Sequence, residues 1–165
     1  MTTTDTTTAA TDAPGAGEPA RPFVLPASDG RLVSLADLAG HPFVLYFYPK
    51  DDTSGCTKEA LAFSAAAPDF AALGARVLGV SKDPVAAHER FVAKHGLDLV
   101  LLSDADGDVC ERYGVWREKS MYGRRFMGIE RATFLIDADG TIRRVWRKVR
   151  VPGHAEAVLH ALREI

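Results

Sequence analysis

The stretch Phe43-Val44-Leu45-Tyr46-Phe47-Tyr48 restricts the folds open to this chain more than any other. Six consecutive apolar, β-favouring residues leave no polar face, and a strand without a polar face has to be covered on both sides. Helices supply that cover in α/β domains. The run therefore belongs at the centre of a sheet, and Pro49 ends it.

The rest of the chain fits around that strand. Ser28-Asp29-Gly30 marks a turn, and Arg31 to Leu38 alternates partly in strand fashion. A helix starts near Cys56 and carries Ala60, Leu61 and Phe63 at helical spacing; Pro68 predicts a kink or a restart in it. Arg76 to Val80 reads as the next strand, Pro84 to His95 as a helix with proline in its first turn, and Leu99 to Leu102 as a third buried strand. A short helix follows from Asp108 to Tyr113. Ala132 to Ile136 and Thr141 to Trp146 form a hairpin around Asp137-Ala138-Asp139-Gly140. The closing helix, Gly153 to Leu162, places Val158, Leu159 and Leu162 on one face. This order is a single α/β domain over residues 21–165, with a central mixed β-sheet flanked by helices, and it suits a thioredoxin-like fold. Residues 1–20 contain little that is bulky enough to bury, which predicts a disordered N-terminal tail.

Charge and composition exclude several functions. The net charge of −2 over 165 residues gives no strong field toward nucleic acid or an anionic membrane. The basic cluster from Arg143 to Arg150 alternates with apolar residues and reads as a solvated strand face. No apolar run approaches the roughly 20 residues that span a bilayer, and Met1 to Ala20 lacks the basic and apolar regions of a secretory signal. Two cysteines are too few for a disulfide-stapled scaffold, so a reducing cytoplasm is the expected compartment.

Chemistry concentrates between Tyr46 and Glu59. A buried strand ends, a polar loop follows, and Cys56 lands in the first turn of a helix. Unpaired N–H groups and the positive end of the helix dipole converge there and favour thiolate, the nucleophilic form. Thr53, three residues earlier, can turn its hydroxyl back to accept from an oxygen of a molecule bound at the sulfur or to donate to the sulfur. Pro49 would shield the sulfur and fix the loop entry. Far along the chain Arg131 opens a strand, and its guanidinium would supply a fixed positive charge beside Cys56. Glu59 is either an ion-pair partner for a loop or an arginine, or a solvated first-turn acid.

Pro49-x-x-x-Thr53-x-x-Cys56 together with Arg131 resembles the active-site pattern of the peroxiredoxins. Phe47-Tyr48-Pro49-Lys50-Asp51, Gly55-Cys56-Thr57, Leu101-Leu102-Ser103-Asp104, Tyr113-Gly114-Val115-Trp116 and Phe134-Leu135-Ile136-Asp137 resemble the peroxiredoxin Q subfamily, also called bacterioferritin comigratory protein. The resemblance implies a thiol-specific peroxidase that reduces hydrogen peroxide and organic hydroperoxides. Cys56 would become a sulfenic acid, recycled by thioredoxin or another thiol reductant. It implies no metal, haem or flavin, since the cysteine carries the electrons, and a monomer or weak dimer. The chain departs from the subfamily at Ser54, where proline is usual. It also has Leu61 and Val92 where resolving cysteines are found, which implies a single-cysteine mechanism with an external second thiol.

Other features read as structural. Cys110, on its short helix, is expected to be a half-buried structural thiol and not the resolving one. Asp104 to Asp108 resembles the start of a calcium loop, but position twelve is Val115 and not a bidentate acid. The five histidines show no metal-ligand spacing. A thiol–disulfide oxidoreductase would need a second cysteine at position 59, which is Glu59. A non-enzymatic redox sensor or holdase using Cys56 oxidation is the alternative from another functional class.

Overall fold

The computed structural model describes residues 13–165. Its strands are β1 (Val24–Pro26), β2 (Leu32–Ser34), β3 (Phe43–Phe47), β4 (Arg76–Ser81), β5 (Val100–Ser103), β6 (Trp116–Met121), β7 (Arg124–Ile129), β8 (Ala132–Ile136) and β9 (Ile142–Trp146). Its helices are α1 (Ser54–Ala72), α2 (Val85–His95), α3 (Val109–Arg112) and α4 (His154–Arg163). Five strands form one sheet in the order β5-β4-β3-β8-β9. β3 pairs in parallel with β4 and β4 with β5, while β8 runs antiparallel to both β3 and β9. The apolar run thus supplies the central strand of a mixed, thioredoxin-like sheet.

Every residue of β3 is buried, and the period of two divides them between two cores. Phe43, Leu45 and Phe47 point into one, with Leu25, Val33, Val109, Cys110, Tyr113 and Val115. Val44, Tyr46 and Tyr48 point into the other, with Cys56, Ala60, Phe63 and Phe70 of α1, Phe91 of α2 and the apolar face of α4. The sheet separates the two cysteines.

Two local expectations need correction, and one element is new. α1 passes through Pro68 as one 19-residue helix without a restart. Phe63 and Phe70, on either side of the proline, are both buried in the same core and keep its two halves in line. Residues 1–12 of the expected tail lie outside the described residues, but its last part is tied down. Gly17 N–H bonds the Ile142 carbonyl at 2.7 Å, Ile142 N–H the Glu18 carbonyl at 2.8 Å, and Ala20 N–H the Gly140 carbonyl at 2.9 Å. Small residues suffice here because the bonds are made by backbone. Finally, β6 and β7 form a hairpin that the sequence reading leaves unassigned. Its residues are mostly exposed, and charged and apolar ones do not alternate, so no strand pattern announces it. The turn uses Tyr122 and Gly123, both at positive φ, in place of a more familiar Asn-Gly pair. No helix among the described residues is long and apolar enough to cross a membrane.

Candidate active site

The end of β3 and the start of α1 fix the position of Cys56. Thr53 is the N-cap residue, with extended backbone, and its carbonyl accepts the first helical bond from Thr57 N–H at 2.8 Å. The N–H groups of Ser54, Gly55 and Cys56 therefore have no carbonyl one turn back to bond. Cys56 faces inward on this turn and is 2 % exposed. Its sulfur is a free thiol.

Arg131 immediately precedes β8, which lies beside β3 in the sheet. Its Nη2 donates to Cys56 Sγ at 3.4 Å, and its Nη1 donates to Glu59 Oε1 at 2.5 Å. Cys56 and Glu59, three apart on one helix face, thus hold the two ends of one guanidinium. Of the two readings of Glu59, the structure shows the ion-pair partner, and that partner is 1 % exposed. Burial raises its carboxyl to about 7 in spite of the neighbouring guanidinium. Its Oε2 and the Tyr46 hydroxyl are the two fully buried side-chain polar atoms without a partner among the described residues. Burial pushes the Tyr46 hydroxyl well above its ordinary range, and Glu59 and Cys56 add to that rise.

Gly55, which the motif Gly55-Cys56-Thr57 contains without a role of its own, bears on this contact. A Cβ there would lie 3.2 Å from Arg131 Nη2, so the missing side chain admits the guanidinium to the sulfur. Thr53 resolves the two roles open to its hydroxyl. Oγ1 donates to the Lys50 carbonyl at 2.8 Å, which uses its one hydrogen and leaves only lone pairs to offer. Pro49 sits half-buried between β3 and this loop.

Cys110 does not join the site. It is fully buried in the opposite core, its N–H donates to Asp104 Oδ2 at 2.8 Å, and burial beside Asp104 pushes its thiol far above the usual range. It is more deeply buried than the half-buried thiol expected. Leu61, on the exposed side of α1, and Val92, on α2, are the positions without resolving cysteines.

Comparison with known proteins places the chain in a family. The model of the AhpC/TSA family matches residues 16–145. Peroxiredoxin Bcp of Xanthomonas campestris is 50% identical over 147 residues, 88% of this chain and 92% of that protein. Peroxiredoxin Bcp of Escherichia coli is 43% identical over 149 residues, 90% and 96% of the two chains. A solved structure of the X. campestris bacterioferritin comigratory protein, described for its alkyl peroxide reduction activity, superposes with a TM-score of 0.82. It shares 48% identity, and the match covers 86% of this chain and 90% of that one. With 50% identity over 88% of its length to one such protein and the family model matching residues 16–145, this chain belongs to the AhpC/TSA family of thiol-dependent peroxidases, in its peroxiredoxin Q, or bacterioferritin comigratory protein, branch.

Proposed function

We propose that this peroxidase reduces hydrogen peroxide and organic hydroperoxides at Cys56, with Thr53, Pro49 and Arg131 as its partners. The observation that carries the reading is the Arg131 Nη2 contact to Cys56 Sγ at the first turn of α1. The thiolate attacks the terminal peroxide oxygen, the O–O bond breaks, and the sulfur becomes a sulfenic acid. The departing oxygen carries the electron pair and, with the proton given up by the thiol, leaves as water or alcohol. Arg131 stabilises negative charge as it moves from sulfur to that oxygen. Thr53, with its hydrogen engaged by Lys50, accepts the hydrogen of the attacked oxygen. Pro49 closes the loop over the sulfur.

An external thiol completes the cycle, thioredoxin or another thiol reductant. It condenses with the sulfenic acid to release water, and a second thiol reduces the mixed disulfide. The placement of Cys110 across the sheet supports an outside donor. We further propose a monomer or weak dimer working in the reducing cytoplasm, with all the catalytic groups within residues 21–165. Replacing Cys56 by Ser tests the core of this reading. Peroxide turnover with thioredoxin, glutaredoxin–glutathione or a small dithiol should vanish while the thermal transition persists, because an alcohol is not ionised near neutral pH. Substantial turnover in Cys56→Ser would refute it.

A further inference from the structure

The loop that delivers Cys56 contains two consecutive acids, and both are held by α2. The Asp51 carboxylate accepts the Tyr48 hydroxyl on Oδ1 at 2.5 Å and meets His88 Nδ1 on Oδ2 at 2.6 Å. Its backbone N–H donates to Asp83 Oδ2 at 2.8 Å, an oxygen that also accepts the Ser81 hydroxyl at 2.6 Å. His88 is wholly buried, and its Nε2 lies 2.9 Å from the Leu102 carbonyl. A carbonyl only accepts, so Nε2 carries a hydrogen, while Nδ1 faces the Asp51 carboxylate, with the Tyr48 hydroxyl 3.4 Å away. Turning the ring would strand two buried acceptors. Asp52, held at φ +59°, bonds Lys94 Nζ at 2.7 Å and His95 Nε2 at 2.9 Å on the exposed side of the same helix.

We propose that His88 is a positioning residue for the peroxidase reaction, acting through Asp51. The pair holds the chain on either side of the Lys50 carbonyl, the acceptor that orients the Thr53 hydroxyl. Asp51, Asp83 and His88 bring ligand-type atoms within 4.8 Å of one another, but these atoms are spent on one another and on the loop. A core filler would need none of this, since an apolar side chain fills space without obliging two acceptors to be matched. The same clamp has a second consequence. Cys56 is 2 % exposed, so a thiol bulkier than the peroxide depends the more on the loop lifting to reach the sulfur. Loosening the clamp should therefore slow attack on peroxide and speed the approach of thiol.

The inference rests on Cys56 being the attacking sulfur, and the test separates the two claims. His88→Gln, Asp51→Asn and the double variant are first shown to melt cooperatively above the assay temperature. Two rates are then measured on each: oxidation of Cys56 by hydrogen peroxide in stopped flow, and reduction of the sulfenic acid by dithiothreitol. The expected result is a roughly tenfold to hundredfold slower oxidation, the scale on which a remote misplacement acts, together with faster reduction. The double variant should be no slower than the worse single one, because both remove one contact. If His88→Gln fails to fold, Asp51→Asn, which keeps one acceptor oxygen and puts an amide donor in place of the other, decides by the same two rates. Both rates within twofold of the parent, both falling together, or effects that multiply in the double variant would overturn the proposal. Retained turnover in Cys56→Ser would instead remove the reading of the site on which it stands.

Discussion

Gly55 and Glu59 set the geometry of Arg131 from opposite ends of one helical turn, and each gives a test. In Gly55→Ala the new Cβ would stand 3.2 Å from Nη2, so the guanidinium has to give way by a few tenths of an ångström. Alanine is also the better helix former, by about 1 kcal/mol. Peroxide oxidation should therefore slow several-fold while melting temperature stays level or rises; an unchanged rate would show that the sulfur contact is slack. Removing the guanidinium outright in Arg131→Met should cost about 3 kcal/mol of transition-state stabilisation, roughly a hundredfold in rate. The same second-order rate as the parent would make Arg131 structural. Glu59 bears on pH. Its carboxyl titrates near 4.5 when unfolded and near 7 in the fold. The native state thus binds more protons between those values, and stability falls as pH rises through that window. The loss is on the order of 3 kcal/mol at one full ionisation. Melting curves from pH 5 to 8 should slope downward less in Glu59→Gln than in the parent, and identical slopes would contradict the assignment.

At the scale of elements, the segment from Pro14 to Ala20 covers the start of the outer edge of β9, at Gly140 to Ile142. Pro19 pairs antiparallel with Thr141, and three backbone bonds flank that bridge. An open edge invites pairing with other chains, so covering it protects the sheet. The reference is a chain starting at Ala13. One starting at Arg21 should lose about 2 kcal/mol from the missing bonds, a fall of roughly 4–8 °C, with the rate of Cys56 oxidation unchanged. An unaltered melting temperature for the shorter chain would mean that the edge bonds add nothing. Composition could not reveal this docking, because Gly, Pro and Ala bury little and the contacts use main-chain atoms. The β6–β7 hairpin leaves no mark in the sequence for the same reason: backbone pairing and a turn hold it, while its side chains stay mostly exposed.

For the whole molecule, the sheet keeps the two thiols in separate cores. One equivalent of hydrogen peroxide should leave sulfenic acid on Cys56 and an untouched thiol on Cys110, by mass spectrometry. With no second thiol supplied, excess peroxide should carry Cys56 on to sulfinic acid. A Cys56–Cys110 disulfide within one chain, joined to loss of thioredoxin-supported turnover in Cys110→Ser, would contradict the arrangement. Bridging would require Cα atoms within about 7 Å, and β3 with its neighbours lies between the two cores.

Sequence alone determined what depends on local order. Six apolar residues in a row required a strand covered on both faces. The helix after it had to present its third residue, Cys56, among unpaired N–H groups, whatever the rest of the chain did. The spacing of Pro49, Thr53 and Cys56 is likewise a property of one loop. Only the tertiary structure decided which distant groups complete the site. Arg131 reaches the sulfur because β8 pairs with β3 in a register that sets Ala132 opposite Phe47. Gly55 matters only once that guanidinium arrives. His88 bears no sequence mark at all. Its role arises because α2 packs beneath the loop and turns one buried ring toward Asp51. Such contacts join residues 37 to 75 positions apart. No period or motif encodes them, because strand register and helix packing are settled by the core as a whole.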